Sequence, residues 1–390
     1  MRRDLDMKRI FSLFLAGCLL LAILPGHARA AGPTVAAKSA VLMDMTTGTV
    51  LIEQNAHAPL APASVTKVMT MLLIMEAIDS GKIGWTDTVT ASETAAGKGG
   101  SQIYLKVGET MSVTDLVRSI AVSSANDAAC AMAEHIAGSE AAFVEAMNRR
   151  ARELGMENTL FANCTGLDDE ADVTRHYTSA YDIALMSREL MLHHPDIQQY
   201  TTIWMDSIRG GTFGLANTNK LIRFYPGATG LKTGFTSAAG FCLSATAERE
   251  GMGLIAVVMG AETSKERFAA CKALLDYGFA NYALTEPQLP DNCTVPVKLG
   301  HAGSVSAAPS ADGRQLIDKA QKNSVTTELT LEPTVTAPVS KGQKLGTLTL
   351  RAGDRILCRI PMLAQEAVPR LTWSDLLAKV LRYLTMGREG

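Results

Sequence analysis

Residues 62–78 read PASVTKVMTMLLIMEAI, and this stretch decides how the rest of the chain is interpreted. From Val65 to Ile78 the stretch is almost wholly apolar. Its polar members are Thr66, Lys67, Thr70 and Glu76. A helix that is apolar around most of its circumference is buried on most sides instead of lying at a surface. The sequence therefore predicts a central helix with a lysine enclosed near its start.

The start of this helix carries a serine and a lysine that can react together. Ser64 and Lys67 have i,i+3 spacing, which places the hydroxyl and the amine on one face, a helical turn apart. A serine hydroxyl needs a base, and a lysine in an apolar site loses part of its preference for the charged form. The pair predicts a self-acylating serine with Lys67 as base. Alone it is a weak signal, because a chain of this length contains about one such spacing by chance.

Two further motifs follow in a fixed order and make the signal specific. Ser124-Ala125-Asn126 interrupts a predicted helix, and Lys232-Thr233-Gly234 lies at the head of a predicted strand. Taken singly, the first would be a polar helix break and the second an ordinary turn before a strand. Together with Ser64 and Lys67, in this order, they indicate one catalytic site.

The patterns around these motifs predict an α+β fold. Loose alternation on both sides of a Thr46-Thr47-Gly48 turn indicates a β-hairpin over residues 36–53. Two β-rich runs, at 240–246 and 254–260, are joined by the charged turn 248–251. Helical patterns cover residues 113–136, 141–154 and 266–282, and a Ser112–Asp115 capping pattern opens the first. We predict an antiparallel sheet flanked by helices.

A second module follows a linker around Pro287 and Pro290. Short runs there alternate at strand period, with Gly and Pro between them. The runs lie at residues 295–299, 329–331, 345–350 and 356–360. They predict a small all-β domain over residues 291–366. Its sequence offers no nucleophile–base pair, so we interpret it as a spacer or docking domain.

The N-terminus has the pattern of a secretory signal peptide. The basic segment Met1–Arg9 precedes an apolar stretch over 10–24, and Ala28-Arg29-Ala30 supplies small residues for cleavage after Ala30 or Ala31. The stretch is short for a membrane span, which needs roughly 20 residues. A lipoprotein box ending at Cys18 is the minor alternative, because it would leave an apolar segment directly behind the lipidated cysteine. We expect residues 1–30 to be removed and the mature chain to be exported.

Composition narrows the remaining possibilities. With 47% hydrophobic residues, the chain can bury one large core and a second module. Lys and Arg (37) nearly balance Asp and Glu (39), so no strong field recruits nucleic acid. The histidines show no metal-binding spacing, and we predict neither a metal nor a cofactor. We expect mainly buried free thiols from the cysteines after Cys18, although sequence alone does not give their pairing. These are Cys130, Cys164, Cys242, Cys271, Cys293 and Cys358.

The motifs and their surroundings resemble the penicillin-binding serine D-alanyl-D-alanine carboxypeptidases of low molecular mass. The resemblance extends over residues 62–70, 126–129, 154–156 and 230–236 and covers essentially the whole mature chain. Ala125 departs from it, since the family more often has glycine there, but both residues are small. The resemblance implies a β-lactamase/transpeptidase-like catalytic domain over residues 32–284. It also implies removal of the terminal D-alanine from peptidoglycan stem peptides ending in D-Ala-D-Ala, and covalent binding of β-lactams.

The resemblance implies a role for each motif residue. Ser64 attacks the carbonyl between the two D-alanines, and Lys67 accepts its proton. Ser124 relays a proton to the departing D-alanine. Asn126 holds the substrate amide and keeps Lys67 oriented, while Lys232 adds positive potential.

Substrate recognition is assigned to the Lys232 strand and to one arginine behind it. The expected substrate-binding residues are Thr233, Gly234, Phe235, Thr236 and Arg267. The backbone N–H groups of Ser64 and Phe235 form the oxyanion hole, and the strand pairs with the substrate backbone. A carboxypeptidase must bind a free carboxylate, and Arg267 matches a family arginine by its spacing from Lys232. The alternative for Arg267 is a solvated residue on the last helix of the domain.

Three other functions stay open at this point. A class A β-lactamase shares the motifs but needs a Glu-x-x-Leu-Asn run to drive water onto the acyl-enzyme. Glu157 begins such a run, but Phe161 stands where the asparagine would be, and the extra β module also argues against a lactamase. A D,D-endopeptidase that cuts cross-links would share the fold. A non-catalytic wall-binding protein would not need the intact motifs.

The C-terminal pattern predicts an amphipathic helix over residues 370–387. Its apolar stripe consists of Trp373, Leu376, Leu377, Val380, Leu381 and Leu384. Thr372 with Asp375 can cap its start, and it is too short and too polar to cross a bilayer. Docking on protein is the alternative, but the resemblance implies a C-terminal membrane anchor. We expect the helix to lie in the outer face of the cytoplasmic membrane, bordering the cell wall space. Its attraction to anionic lipid would come from Arg370, Lys379, Arg382 and Arg388.

Overall fold

The computed structural model describes residues 32–168, 175–290 and 292–386. The predicted signal peptide and its cleavage sites after Ala30 and Ala31 lie outside these residues, as does Cys18. Every element named below lies in the unit of the chain that begins at Thr34.

Strands and helices are interspersed along the described residues. The strands, in chain order, are β1 (Ser39–Asp44), β2 (Val50–Gln54), β3 (Thr88–Thr90), β4 (Thr110–Ser112), β5 (Met205–Ile208), β6 (Phe213–Ala216), β7 (Ala228–Thr236), β8 (Gly240–Arg249), β9 (Met252–Ala261), β10 (Tyr282–Thr285), β11 (Thr294–Lys298), β12 (Ser304–Pro309), β13 (Gln315–Asp318), β14 (Val325–Leu331), β15 (Val335–Thr336), β16 (Lys344–Ala352) and β17 (Arg355–Ala364). The helices are α1 (Lys67–Asp79), α2 (Glu93–Ala96), α3 (Val113–Ser123), α4 (Asn126–Ala137), α5 (Glu140–Glu153), α6 (Ala180–His193), α7 (Gln198–Thr201), α8 (Leu221–Phe224), α9 (Ser264–Asn281) and α10 (Trp373–Met386). Short 3-10 turns lie at Ala63–Thr66, Pro195–Ile197, Arg209–Gly211 and Lys319–Ser324.

A five-stranded antiparallel sheet in the order β2-β1-β9-β8-β7 organises the N-terminal part. Alternate residues of a strand point to opposite faces, so β1 and β9 each contribute to two cores. Val41 and Val257 pack in the larger core with α1, whereas Leu42 and Leu254 pack in the smaller core with α9. Burial on both faces explains the continuous apolar run of β9. The predicted antiparallel sheet flanked by helices is confirmed.

Helix α1 runs through the larger core. Its residues from Lys67 to Met75 are all buried, so apolar side chains are needed around the whole circumference. The predicted central helix is confirmed, although its first turn, Ala63–Thr66, is a 3-10 turn.

The other predicted elements of this part are also present. The hairpin is β1 and β2, the interrupted helix is α3 and α4, and α5 and α9 occupy the remaining helical patterns. The turn after β8 is shorter than predicted, because β8 continues to Arg249 and β9 begins at Met252.

The C-terminal module is all-β, as predicted. Its six-stranded sheet has the order β14-β16-β17-β12-β11-β15 and encloses a core of its own. One ladder crosses the linker, because β10 pairs with β13 in antiparallel register. The short strands β12, β13 and β15 were not predicted, since few large apolar residues mark them.

Helix α10 begins with the predicted cap. The Asp375 amide donates to Thr372 Oγ1 at 3.3 Å, and the Thr372 amide donates to Asp375 Oδ2 at 2.8 Å. The stripe is open to solvent, with Trp373 88% and Leu377 62% exposed. None of the helices in the described ranges is both long and apolar enough to cross a bilayer. The side chains of Lys379, Arg382 and Leu384 lie outside the description, as does Arg388.

The six cysteines within the described residues are free thiols. The expectation of burial holds for Cys130, Cys164, Cys242 and Cys271. It is wrong for Cys293 and Cys358, which are half-buried where they pack against the core of the C-terminal module.

Candidate active site

Ser64 and Lys67 meet where the 3-10 turn passes into α1. Lys67 Nζ donates to Ser64 Oγ at 3.0 Å and to the carbonyl oxygen of Thr165 at 2.8 Å. The Lys67 side chain is fully buried. The amine is therefore held in one direction, within proton-transfer distance of the hydroxyl.

The turn that carries Thr165 packs tightly against Ser64's own turn. Asn163 Oδ1 accepts hydrogen bonds from the amides of Thr165 and Gly166 at 3.1 and 2.6 Å. Gly166 has φ +86°, and a Cβ there would lie 1.9 Å from the carbonyl oxygen of Ala63. Only glycine fits this approach. This turn was not predicted from the sequence, although an Asn–Gly pair with this spacing is a turn signal.

Ser124 and Asn126 lie at the break between α3 and α4. Ser124 adopts a left-handed conformation, with φ 66° and ψ 27°, which ends α3. Among the described residues, Ser124 Oγ and Asn126 Oδ1 are buried without a hydrogen-bond partner. Burying such atoms unpaired costs about 1–3 kcal/mol each, which a substrate amide or leaving amine would relieve.

Lys232 lies in the middle of β7, so its predicted place at the head of a strand is wrong. The strand begins at Ala228, and a bulge near Gly230 hides its first residues from a period-two pattern. Lys232 is only 1% exposed. Burial, followed by the charges of Lys67 and Arg267, lowers the pKa of Lys232 well below its ordinary value.

Gly234 brings β7 directly against the backbone of Ser64. A Cβ at Gly234 would lie 2.7 Å from the carbonyl oxygen of Pro62 and 3.1 Å from the Ser64 nitrogen. The amides of Ser64 and Phe235 therefore belong to adjoining backbones. The Phe235 ring is 54% exposed and stacks on Phe241 at 4.3 Å.

The hydroxyl groups of Thr233 and Thr236, on either side of Gly234 in β7, both form hydrogen bonds. Thr233 Oγ1 donates to Thr218 Oγ1 at 2.7 Å, and Thr236 Oγ1 accepts from the Ala239 amide at 3.1 Å. Both hydroxyls thus stand on the strand expected to bind the substrate.

Arg267 reaches this strand from α9. Its Nη1 donates to the carbonyl oxygens of Gly234 at 2.9 Å and Cys242 at 3.2 Å. The residue is 8% exposed, so the solvated alternative is wrong. Burial lowers the pKa of Arg267 below its ordinary value.

His176 was missed by the sequence analysis, because a single histidine gives no pattern. Its Nδ1 accepts from the Ala162 amide at 3.1 Å, and its Nε2 lies 2.8 Å from Thr66 Oγ1. A neutral ring with its proton on Nε2 satisfies both contacts. Burial, together with the charge of Lys67, lowers the pKa of His176 to about 4.

A buried ion pair behind the site was also missed. Lys98 Nζ lies 2.7 Å from Glu140 Oε2, and the two side chains are 7% and 17% exposed. Burial alone would raise the pKa of Glu140, but hydrogen bonds from Lys98 and Cys164 outweigh it, and the pKa lies below its ordinary value.

Two further features concern the lactamase alternative and the possibility of a metal site. Glu157, the glutamate that a lactamase would need, is exposed in the turn after α5. No group of His, Cys, Asp and Glu able to hold a metal ion occurs within the part of the chain that the structure describes.

Comparison with known proteins agrees with the geometry. Residues 27–263 match the family described as D-alanyl-D-alanine carboxypeptidase, and residues 291–370 match the C-terminal domain of penicillin-binding protein 5. The D-alanyl-D-alanine carboxypeptidase DacF of Bacillus subtilis (strain 168) is 44% identical over 388 residues, which cover 96% of this chain and 98% of the relative.

Solved structures share the fold. Penicillin-binding protein 5 from Haemophilus influenzae superposes with a TM-score of 0.73 and 32% identity, covering 87% of this chain and 100% of that one. Penicillin-binding protein D2 from Listeria monocytogenes, in its ampicillin-bound form, gives a TM-score of 0.58 and 33% identity over 63% of this chain and 100% of that one.

Proposed function

Because this chain belongs to the D-alanyl-D-alanine carboxypeptidase family, we propose that it removes the terminal D-alanine from peptidoglycan stem peptides through an acyl-enzyme on Ser64. It is a serine-type peptidase. The observation that carries the assignment of the nucleophile is the 3.0 Å hydrogen bond between Lys67 Nζ and Ser64 Oγ. The other functions considered are not favoured, since Glu157 is exposed and the motif residues of a peptidase are intact.

The first step forms the acyl-enzyme. Ser64 Oγ attacks the carbonyl carbon between the two D-alanines while Lys67 Nζ takes the hydroxyl proton. The negative charge that develops on the carbonyl oxygen is stabilised by the backbone N–H groups of Ser64 and Phe235. The close approach at Gly234 supports this pairing of the two amides.

Collapse of this intermediate releases D-alanine. The proton passes from Lys67 through Ser124 Oγ to the leaving nitrogen as the C–N bond breaks. Asn126 holds the substrate amide, a role supported by its buried and unpartnered Oδ1. Water then attacks the acyl carbonyl, gives a proton to Lys67, and Ser64 Oγ leaves with that proton.

The free carboxylate of the substrate binds along β7. The hydroxyls of Thr233 and Thr236 contact it, and Lys232 and Arg267 supply positive potential from inside the protein. Burial disfavours the charged form of Lys232 in the free protein, and the negative charge of a bound carboxylate favours it again, because opposite charges attract strongly in a low-dielectric site. Arg267 also fixes β7 through the carbonyl oxygen of Gly234.

We further propose the organisation of the chain and its place in the cell. Residues 1–30 are a signal peptide, 32–284 the catalytic domain, 291–366 the β-rich domain and 370–387 a membrane-surface helix. The exposed stripe on α10 supports the last assignment, with Val380 and Leu381 more than half exposed beside Trp373 and Leu377. The mature enzyme then works at the outer face of the cytoplasmic membrane, next to peptidoglycan.

Covalent labelling and product analysis test this function. Wild-type protein should release one D-alanine from a muropeptide ending in D-Ala-D-Ala, and a fluorescent penicillin should label it in a 1:1 ratio. Binding to a β-lactam is supported by the ampicillin-bound relative. Ser64→Ala should lose both properties, because the acyl bond has no other attachment point.

A matched control is Ser80→Ala, which removes a hydroxyl at the other end of α1 that donates to the Ala77 carbonyl oxygen of the same helix. This variant should keep both properties. Labelling of Ser64→Ala would move the nucleophile elsewhere, and rapid turnover of penicillin by the wild type would favour a lactamase.

A further inference from the structure

In the largely buried ion pair Lys98–Glu140, each partner adjoins a segment that holds a motif residue. Its Nζ–Oε2 distance is 2.7 Å, and its side chains are 7% and 17% exposed. Taking two charges out of water is costly, and an apolar pair of similar volume is often as stable or more so. A role in folding stability alone therefore gives little reason for charges at this place.

The lysine side of the pair leads to Asn126. The neighbour of Lys98 in the chain is Gly99, whose carbonyl oxygen accepts a hydrogen bond from Asn126 Nδ2 at 2.7 Å. A Cβ on the next residue, Gly100, would lie 2.8 Å from that same Nδ2. The Asn126 amide also donates to the Ser101 carbonyl oxygen at 2.7 Å. The segment after Lys98 thus fixes both the backbone and the side chain of Asn126.

The glutamate side leads to Lys67. Glu140 Oε1 accepts from the Cys164 amide at 3.2 Å and from its Sγ at 3.1 Å. The following residue, Thr165, offers its carbonyl oxygen to Lys67 Nζ at 2.8 Å. The Cys164 carbonyl oxygen is also held, by Thr70 Oγ1 of α1 at 2.6 Å. A shift of Glu140 would therefore move the acceptor that orients the Lys67 amine.

We infer that Lys98 and Glu140 are positioning residues whose ion pair sets the spacing between Asn126 and Lys67. The inference rests on the proposed function, in which Asn126 and Lys67 act on the same substrate amide. Glu140 is itself fixed in the first turn of α5, where the helix dipole favours an anion. The pair joins two segments that are far apart in the chain and connects both to one helix.

The test compares the rate of acylation with the stability of the fold. Glu140→Gln and Lys98→Met each remove one charge, and a double variant removes both, so that no charge of this pair is left buried alone. The measurements are the second-order rate constant for labelling by fluorescent penicillin, kcat and KM on a D-Ala-D-Ala peptide, and the thermal midpoint. Glu189→Gln is the matched control, because it breaks a 2.6 Å pair with Arg150 near the other end of α5, with partners 22% and 21% exposed.

We expect acylation and kcat to fall about 10- to 100-fold in the Glu140→Gln and double variants, since a misplacement of about 1 Å can cost 100-fold. KM should change much less than kcat. The double variant should regain thermal stability without regaining its rate, whereas Glu189→Gln should label within about twofold of wild type. If the pair had only a structural role, the rate would recover together with the thermal stability.

Two outcomes overturn the inference. One is a folded Glu140→Gln or double variant that acylates within about twofold of wild type, and the other is a rate that recovers together with the thermal midpoint. If the single variants do not fold, the double variant decides. A wild-type protein that takes up no penicillin overturns the proposed function instead.

Discussion

Ser124 combines two features at one residue, a backbone that ends α3 and a buried hydroxyl to which the proposed mechanism assigns a proton relay. Its left-handed conformation is unfavourable for an L-residue other than glycine by roughly 1–2 kcal/mol. The hydroxyl is buried without a partner among the described residues. Both costs fall on a residue that the proposed mechanism uses, which is typical of functional sites.

Substitution of Ser124 separates these two features. Ser124→Gly relieves the backbone, whereas Ser124→Ala keeps the strain, so we expect the glycine variant to be more stable by about 1 kcal/mol in urea unfolding. Both variants lose the proton relay, and kcat on a D-Ala-D-Ala peptide should fall about 100-fold or more. Equal stability of the two variants would show that the break is unstrained.

His176 makes the stability of the fold depend on pH. Its pKa is about 4 in the folded protein and close to 6.5 in an unfolded chain, so the unfolded state binds more protons between these values. The contribution of His176 to the free energy of unfolding should therefore be fully present above pH 6.5 and decrease as the pH falls toward 4. The loss from this residue is up to about 3 kcal/mol.

The comparison for this prediction is His176→Gln, which can still donate and accept hydrogen bonds but does not titrate. Urea unfolding of both proteins at pH 7 and pH 4.5 isolates the histidine. Wild type should lose more stability than the variant over this interval, and equal losses would contradict the buried neutral ring.

At the scale of elements, the sequence predicts those helices and strands whose apolar residues form a long run or a regular period. The apolar runs of α1 and β9 and the β-rich run of β8 are visible because burial on several sides leaves little choice of residue. The β5–β6 hairpin and the turn at Thr165 were not predicted, since short polar and glycine-rich segments carry no such period. The Lys98–Glu140 pair could not be predicted, because it depends on loops brought together only in the fold.

We expect that helix α10 can be removed without unfolding the module before it. The amide of Leu371 donates to the Leu299 carbonyl oxygen and the His301 amide to that of Pro369, so the chain should end after Leu371. The truncated protein should keep full activity on soluble substrate. On fractionation it should appear in the soluble fraction and no longer in the membrane pellet. The double substitution Trp373→Ser and Leu377→Ser, which keeps the helix, should act in the same direction.

The alternative is that helix α10 docks on the β domain and does not bind the membrane. His301 Nε2 lies 3.2 Å from Asp375 Oδ2, so the first turn of α10 already contacts the β domain. A truncated protein that stays with membranes, or that loses thermal stability, would show that this contact is its main function.

At the scale of the whole molecule, the β10–β13 ladder and Lys319 connect the two parts of the chain. Lys319 Nζ donates to the Phe279 carbonyl oxygen of α9 at 3.0 Å. Every residue of the proposed site lies before this junction. The C-terminal module thus adds contacts to the catalytic part without adding to its chemistry.

Deletion of everything after Glu286 tests this division of labour. We expect the free energy of unfolding to fall by a few kcal/mol, at about 1 kcal/mol for each lost ladder hydrogen bond. The rate of penicillin labelling at 25 °C should stay within about twofold of the full chain. Loss of labelling in a protein whose circular dichroism is still native would show that the module shapes the site.

The burial of Lys67 within α1 also has a consequence for timing. The reactive amine stands inside the same core that holds the chain together, so the hydroxyl gains its base only when that core has closed. A chain that has not yet folded therefore has no working nucleophile. We expect the uptake of a penicillin label during refolding to report the moment at which this core closes.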